Sequence, residues 1–286
     1  MFHNTQKSDL DPQLNLRERH PDFQTYFDRY DTLSEETLSQ FPWQTDISYG
    51  KHRLHTLDFV AAKEPDSPIF FFIHGGYWKT LDKSSHRFLA KQFLENGYAV
   101  VNVNYRLAPE ASIDEIVDDV VNAILWVGSN DRELQGDPNR IFIAGHSAGA
   151  HLALMSLLQL AERKEAIAEA IRCVYCVSGL YDLRLLMKSY LNEELRVTPK
   201  IAKSCSPLAL PEIKVNADLR FLVGSDETGV FVSQTHLIHE LARASGANTS
   251  VGSIEGLHHF DILYELGDPM GRLSQELLNL MKAERG

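Results

Sequence analysis

The stretch R-I-F-I-A-G-H-S-A-G-A-H-L, residues 140–152, decides how the chain is read. Its first five residues, Arg140 to Ala144, are a short apolar run of strand character, and Ala148 to Glu162 continues as a helix. Between them, Gly145-His146-Ser147-Ala148-Gly149 is G-x-S-x-G, the pattern of a serine on a sharp strand-to-helix turn. Glycines on both sides of Ser147 remove the side chains that such a turn would bring into collision. The hydroxyl then stands at the N-terminus of a helix, where the backbone dipole favours developing negative charge. Ser147 is the candidate nucleophile.

Outward from that turn, strand and helix alternate. Pro68 to Ile73, Tyr98 to Asn104, Cys173 to Val177, Leu219 to Val223 and Thr249 to Ile254 read as further strands. Helices are expected over Lys83 to Glu95, from a cap at Ser112 to about Val127, and near 230–244 and 270–284. Glu115 stands three residues after Ser112, as a capping box requires. A hairpin precedes the set, Ile47 to Tyr49 and Leu54 to Val60, turning at Gly50-Lys51. Short turns between strand and helix imply an α/β fold with a parallel sheet covered on both faces. No flexible linker divides the chain, so residues 1–286 read as one domain with two appendages. Residues 1–45 form an N-terminal cap segment, in which Phe23, Tyr26, Phe27 and Tyr30 share a helix face. Residues 180–217 are an insertion between strands, placed to cap a site at the strands' carboxyl ends.

Composition narrows the function classes. The chain has 286 residues, 28 Lys+Arg against 39 Asp+Glu, and a formal net charge of −11. An acidic chain rarely supplies the basic face that phosphate binding needs, so no nucleic-acid partner is expected. The longest purely apolar run, Ile69 to Ile73, is far short of the ~20 residues that span a bilayer. Met1 to Asp11 is polar, unlike a secretory leader. Three cysteines make no disulfide framework, and a cytoplasmic enzyme with a small-molecule substrate is expected. Cys173 and Cys176 fall on opposite faces of one strand, and His236 and His239 lack a third ligand, so neither metal nor cofactor is implied. An edge strand or the N-terminal segment could pair two copies as a homodimer.

A serine nucleophile needs donors for the oxyanion, a base, and an acid that orients the base. His74-Gly75-Gly76-Tyr77-Trp78 follows a buried strand, and two glycines there let the backbone turn with its amides towards the serine. The amides of Gly76, Tyr77 and Ala148 are the expected oxyanion hole, with Gly75 as the turn residue. On a sheet of this kind acid and histidine follow the serine in chain order. Leu219 to Val223 leads into Gly224-Ser225-Asp226-Glu227, and Thr249 to Ile254 into Gly256-Leu257-His258-His259. Asp226, nearer the strand end than Glu227, is the expected acid. Spacing alone does not choose between His258 and His259. Tyr77, Trp78 and Tyr181 flank the site and form a candidate aromatic wall for substrate. His151, one helical turn below Ser147, reads as buried structure. Arg106 and Glu110 are expected to pair, and Asp114, Glu115, Asp118 and Asp119 to make a solvated helix face.

Taken together, H-G-G-Y-W (74–78), N-Y-R-L-A-P-E (104–110), G-H-S-A-G-A-H-L (145–152), S-G-L-Y-D-L (178–183), D-E-T-G-V-F-V-S-Q (226–234) and H-F-D (259–261) resemble a known pattern. It is that of the α/β-hydrolase superfamily, in its hormone-sensitive-lipase-like branch, and within it the kynurenine formamidases (arylformamidases) and their bacterial esterase relatives. The resemblance spans roughly residues 17 to 270. It implies the α/β-hydrolase fold, a Ser147–Asp226–His259 triad, and His259 over His258 because the family's histidine precedes Phe. The activity it implies is hydrolysis of an aryl formamide through an acyl-enzyme. The alternatives are a general carboxylesterase for short-acyl or aryl esters and, remotely, a non-catalytic small-molecule receptor, which a missing triad member would favour.

Overall fold

Every residue of Ser67–Ile73 is buried, as a strand covered on both faces requires. Its side chains alternate: Phe70 and Phe72 enter one apolar cluster, while Ile69, Phe71 and Ile73 enter the other. The computed structural model describes residues 7–284; residues 1–6 of the expected N-terminal segment lie outside them. Eight strands form one sheet: β1 (Gln44–Ser48), β2 (Thr56–Val60), β3 (Ser67–Ile73), β4 (Ala99–Val103), β5 (Gly136–His146), β6 (Ile171–Val177), β7 (Asp218–Gly224) and β8 (Thr249–Ile254). Their order is β1-β2-β4-β3-β5-β6-β7-β8. β1 and β2 are antiparallel additions at one edge, and β4 through β8 pair in parallel. Parallel neighbours leave the carboxyl ends of β3, β5, β7 and β8 at one rim, where α/β sheets bind ligands.

Helices Ile113–Ser129, Ala148–Glu162 and Gly229–Ala244 bury apolar faces on one side of the sheet. Phe88, Phe93, Leu263 and helix Arg272–Ala283 cover the other. Cys173 and Cys176 sit in opposite clusters, and all three cysteines are free. Ser112 N donates to Glu115 Oε2 at 2.8 Å, as the capping box anticipates. The chain differs from expectation at Lys83 to Glu95, which is a 3₁₀ stretch Lys83–Ala90 followed by a short helix Lys91–Glu95. The cause is ionic: Lys83 and Arg87 both turn inward to the fully buried Asp58, at 2.9 and 2.6 Å. Arg106 likewise pairs with Asp119, not Glu110, at 2.7 Å. Asp119 is thereby buried, contrary to the solvated face expected of it.

Helix Phe23–Gln40 lays Tyr30 on Phe88, with ring centroids 5.2 Å apart, and Phe27 on Phe260 at 5.5 Å. Before it, Lys7–Leu14 and the single turn Leu16–Arg19 lie over the sheet rim with Leu10, Leu14 and Leu16 buried. Gln13 ties this segment down, accepting from Thr228 Oγ1 at its carbonyl (2.9 Å) and from Val230 N at its side chain (3.0 Å). Asp11 accepts from the amide of Tyr190, in the 180–217 insertion, at 2.9 Å. No helix among the described residues is long and apolar enough to cross a membrane.

Candidate active site

Ser147 is the N-cap of helix Ala148–Glu162 and holds φ 57°, ψ −118°, a conformation that costs an L-residue of order 1–3 kcal/mol. Neighbouring glycines make it sterically feasible. A Cβ on Gly145 would stand 2.2 Å from the carbonyl oxygen of Gly149, and one on Gly149 would stand 2.1 Å from that of Ile73. Both contacts are with backbone, which cannot swing aside. Gly149→Ala is accordingly expected to cost ~3 kcal/mol or more, read as a lowered urea midpoint; an unchanged midpoint would show the crossing to be loose.

The turn after β3 supplies the opposing wall. Gly76, Tyr77 and Trp78 follow one another at φ 101°, 50° and 56°. A Cβ on Gly76 would lie 2.1 Å from the carbonyl oxygen of Thr80. The carbonyl of Gly76 accepts from the amides of Lys79 and Thr80, both at 3.1 Å, which curls the loop back on itself. Among the described residues, no acceptor takes the amide hydrogens of Gly76, Tyr77 or Ala148. Gly76, Tyr77, Ser147 and His259 line one cavity of about 420 Å³ at the sheet rim, within the usual range of small-molecule sites.

His259 is buried, its ring between those of Phe231 (centroids 4.5 Å) and His146 (4.6 Å). Its Nδ1 donates to Glu227 Oε2 at 2.7 Å. That bond fixes the tautomer, leaving Nε2 as the free ring nitrogen. The other oxygen of Glu227 accepts from Ser178 Oγ and, at 3.0 Å, from Gly224 N. The carboxylate side chain is fully buried. Asp226, the expected acid, is corrected: it is exposed and accepts only from neighbouring Ser225 Oγ at 2.9 Å. The reason is the turn itself. Its amide at 226 bonds the carbonyl of Leu257 at 3.0 Å, which aims side chain 226 at solvent and side chain 227 under the histidine. Between the histidines the geometry chooses His259. His258 instead packs its ring at a tilt against that of His20, centroids 4.1 Å apart, and lies 3.1 Å from the Tyr26 hydroxyl.

Two further histidines brace this arrangement. His146 Nε2 donates to the carbonyl of His259 at 2.9 Å, joining the serine turn to the histidine loop. Burial holds its pKa well below the usual value, so it serves as a neutral donor. His151 Nε2 donates to the carbonyl of Cys205 at 2.7 Å while Nδ1 accepts from Trp78 Nε1 at 3.2 Å. Burial lowers its pKa to about 4. One imidazole thus fastens helix Ala148–Glu162 to the turn after β3 and to the insertion.

Of the expected aromatic wall, only Tyr77 faces the cavity. Trp78 and Tyr181 are fully buried in the core, Trp78 on His151 and Tyr181 edge-on to Phe221 at 5.7 Å. The cavity takes its aromatic and apolar lining from the appendages, through Leu16, Phe27, Tyr30, Tyr190 and Leu191, and from Phe260. Tyr77 donates its hydroxyl to the carbonyl of Leu14 at 2.8 Å, so the turn after β3 and the N-terminal segment hold each other. Glu227 enters the sequence reading only as the alternative to Asp226, and Ser178 and His146 have no assigned role in it. The motifs 178–183 and 226–234 contained the first two, without saying which side chains turn inward.

A BD-FAE family model matches residues 57–208, just over half of the chain. Kynurenine formamidase of Danio rerio is 30% identical over 242 residues, 82% of this chain and 81% of that protein. The isoprenylcysteine α-carbonyl methylesterase of Arabidopsis thaliana is 26% identical over 263 residues, 82% of this chain and 60% of that protein. Among solved structures, a candidate thioesterase from Silicibacter sp. TM1040 superposes with a TM-score of 0.82 at 30% identity, covering 94% of this chain and 99% of that one. The chain belongs to the BD-FAE family and is a hydrolase of the α/β-hydrolase superfamily, in its hormone-sensitive-lipase-like branch.

Proposed function

We propose that the protein is a serine hydrolase that cleaves an aryl formamide of the N-formylkynurenine type, releasing formate and a free arylamine. The observation that carries this reading is the bond from His259 Nδ1 to the buried Glu227, with the histidine ring on the same cavity as Ser147. In the proposed course, Ser147 Oγ attacks the formyl carbon and His259 Nε2 takes its proton. The amides of Gly76, Tyr77 and Ala148 receive the developing oxyanion, where one donor is worth roughly 3–4 kcal/mol. The imidazolium, stabilised by Glu227, returns the proton to the departing amine. Water, deprotonated by the same Nε2, then releases formate from Ser147. An amine leaves only when protonated, so formamide cleavage depends on His259 as an acid more than ester cleavage does.

Support for the formamide comes from the relationship to kynurenine formamidase across most of both chains. A second reading, a carboxylesterase for short-acyl or aryl esters, has support from the related methylesterase and uses the same residues. The deciding measurement is kcat/KM on N-formylkynurenine and on p-nitrophenyl acetate, with Ser147→Ala as the control. A formamide value above ~10⁴ M⁻¹s⁻¹, inside the usual enzyme range, is expected, with both activities lost in Ser147→Ala. Fast ester cleavage without formamide turnover would assign the carboxylesterase. Full activity in Ser147→Ala would refute the nucleophile.

A further inference from the structure

Two consecutive residues of the N-terminal segment reach both walls of the site. Leu14 offers its carbonyl to the Tyr77 hydroxyl, and Gln13 holds the turn that carries Glu227. Helix Gly229–Ala244 begins just after that turn, with Thr228 as its N-cap. A threonine in this position ordinarily accepts from one of the first amides of its own helix. Thr228 makes no such bond, and its hydroxyl donates to the carbonyl of Gln13 at 2.9 Å. The amide of Val230, otherwise an orphan of the first turn, donates to Gln13 Oε1 at 3.0 Å. The helix is thus capped by a side chain 217 residues away in sequence. Gln13 is oriented for this, since its Nε2 donates to the carbonyl of Asp9 at 3.2 Å. Gly229 leaves the approach open: a Cβ there would stand 3.3 Å from Gln13 Oε1 and crowd it. The capped turn touches His259 from two sides. Glu227, before the cap, bonds Nδ1 at 2.7 Å, and Phe231, after it, packs on the imidazole with ring centroids 4.5 Å apart.

We infer that Gln13 is a positioning residue for Glu227 and His259: by capping helix Gly229–Ala244 from outside, it fixes the acid turn where the carboxylate meets the imidazole. This rests on the proposed serine-hydrolase reading, in which that pair serves Ser147. A cap supplied by Thr228 would hold the helix only to itself. A cap supplied by Gln13 holds it to the segment that also grips Tyr77, so the acid turn and the turn after β3 share one brace. Gln13 does not line the cavity, so its effect on turnover passes through the residues it braces. Without its acceptor the Val230 amide is unpaired and the acid turn can shift. A displacement of about 1 Å at a catalytic group costs on the order of a hundredfold in rate.

The test is Gln13→Met, which keeps the length of the side chain and removes the acceptor. It is read by kinetics on p-nitrophenyl acetate and by the proton resonance of His259 Nδ1–H, identified by its loss in Glu227→Gln. In Gln13→Met, kcat is expected to fall at least tenfold, with KM within about twofold, and the resonance to broaden or vanish. Gln13→Glu keeps an acceptor at the same reach and suits a helix N-terminus, and it is expected to recover both readouts. Because the effect passes through Glu227, combining Gln13→Met with Glu227→Gln is expected to be about as slow as Glu227→Gln alone. A lowered urea midpoint in Gln13→Met with kcat and resonance at parent values would overturn the inference, as would a double variant slowed by the product of the two effects. Parent-level kcat in Glu227→Gln would refute the acid assignment and the inference with it. Loss of the resonance in Gln13→Met, in a protein that turns over neither ester nor formamide, would support the positioning and refute the hydrolase reading.

Discussion

Glu227→Gln is expected to lower kcat by about 10³–10⁴ with little change in KM, while Asp226→Asn stays within about twofold of the parent. The carboxylate of Glu227 holds Nδ1–H of His259 at 2.7 Å, and in the proposed mechanism it offsets the imidazolium that forms when Ser147 loses its proton. A glutamine of the same shape loses that charge. It can also present its amide nitrogen to Nδ1, which favours the tautomer in which Nε2 keeps its hydrogen and cannot act as a base. Glu227→Asp tests reach: a carboxylate one methylene shorter cannot satisfy His259, Ser178 and Gly224 together. Its activity is expected between those of the parent and Glu227→Gln. Steady-state kinetics on p-nitrophenyl acetate suffices, because ester and formamide share these residues. A collapse in Asp226→Asn with Glu227→Gln near normal would reverse the assignment.

The misread acid shows where sequence ceases to determine a site. Strands announce themselves because burial on both faces demands runs such as Ile69 to Ile73, and the turns between them are fixed by glycines whose Cβ positions are occupied by backbone. Ser147 and His259 follow from such signals, the serine from its glycines and the histidine from the residue after it. Which of two adjacent carboxylates turns inward depends instead on the hydrogen bonding of one turn, where the amide of Asp226 meets the carbonyl of Leu257. Nothing local in Asp226-Glu227 encodes that contact between distant segments. Trp78 and Tyr181 were misplaced for a related reason. Both adjoin the cavity in sequence, but positive φ at Tyr77 and Trp78 sends the first ring to the cavity and the second to His151. Lys83 to Glu95 has helical residues yet forms a 3₁₀ stretch first, because two of its cations serve Asp58 across the chain. The reading holds where one element's own pattern decides, and gives way where a partner more than about 20 residues off decides.

Acidification from pH 8 to pH 5 is expected to remove about 4 kcal/mol or more of folding stability, through histidines rather than carboxylates. His74, His146 and His151 are buried, which disfavours their charged form, and the buried His86 is lowered in the same sense. Burial lowers His74 to about 3, His151 to about 4 and His146 well below its ordinary value. Unfolding returns each to about 6.5, so below that pH the unfolded chain binds more protons than the folded one and stability falls with pH. The loss begins near pH 6.5 and runs down towards the folded values. At pH 5 His74 and His151 each contribute about 2 kcal/mol, since a tenfold change in proton concentration is worth ~1.4 kcal/mol per proton, and His146 acts in the same direction. Asp261, whose carboxyl is raised by burial, acts in the opposite sense but amounts to less than one proton. Set against a typical total of ~5–15 kcal/mol, the loss is a large share of the folding stability. Urea unfolding at pH 8 and pH 5 measures it directly. In His151→Gln, which retains an amide donor for the Cys205 carbonyl and an acceptor for Trp78, the same acidification is expected to cost about 2 kcal/mol less. Equal stability at both pH values in the parent protein would mean that these imidazoles take up protons as readily when folded as when unfolded, so that burial does not hold them neutral at pH 5.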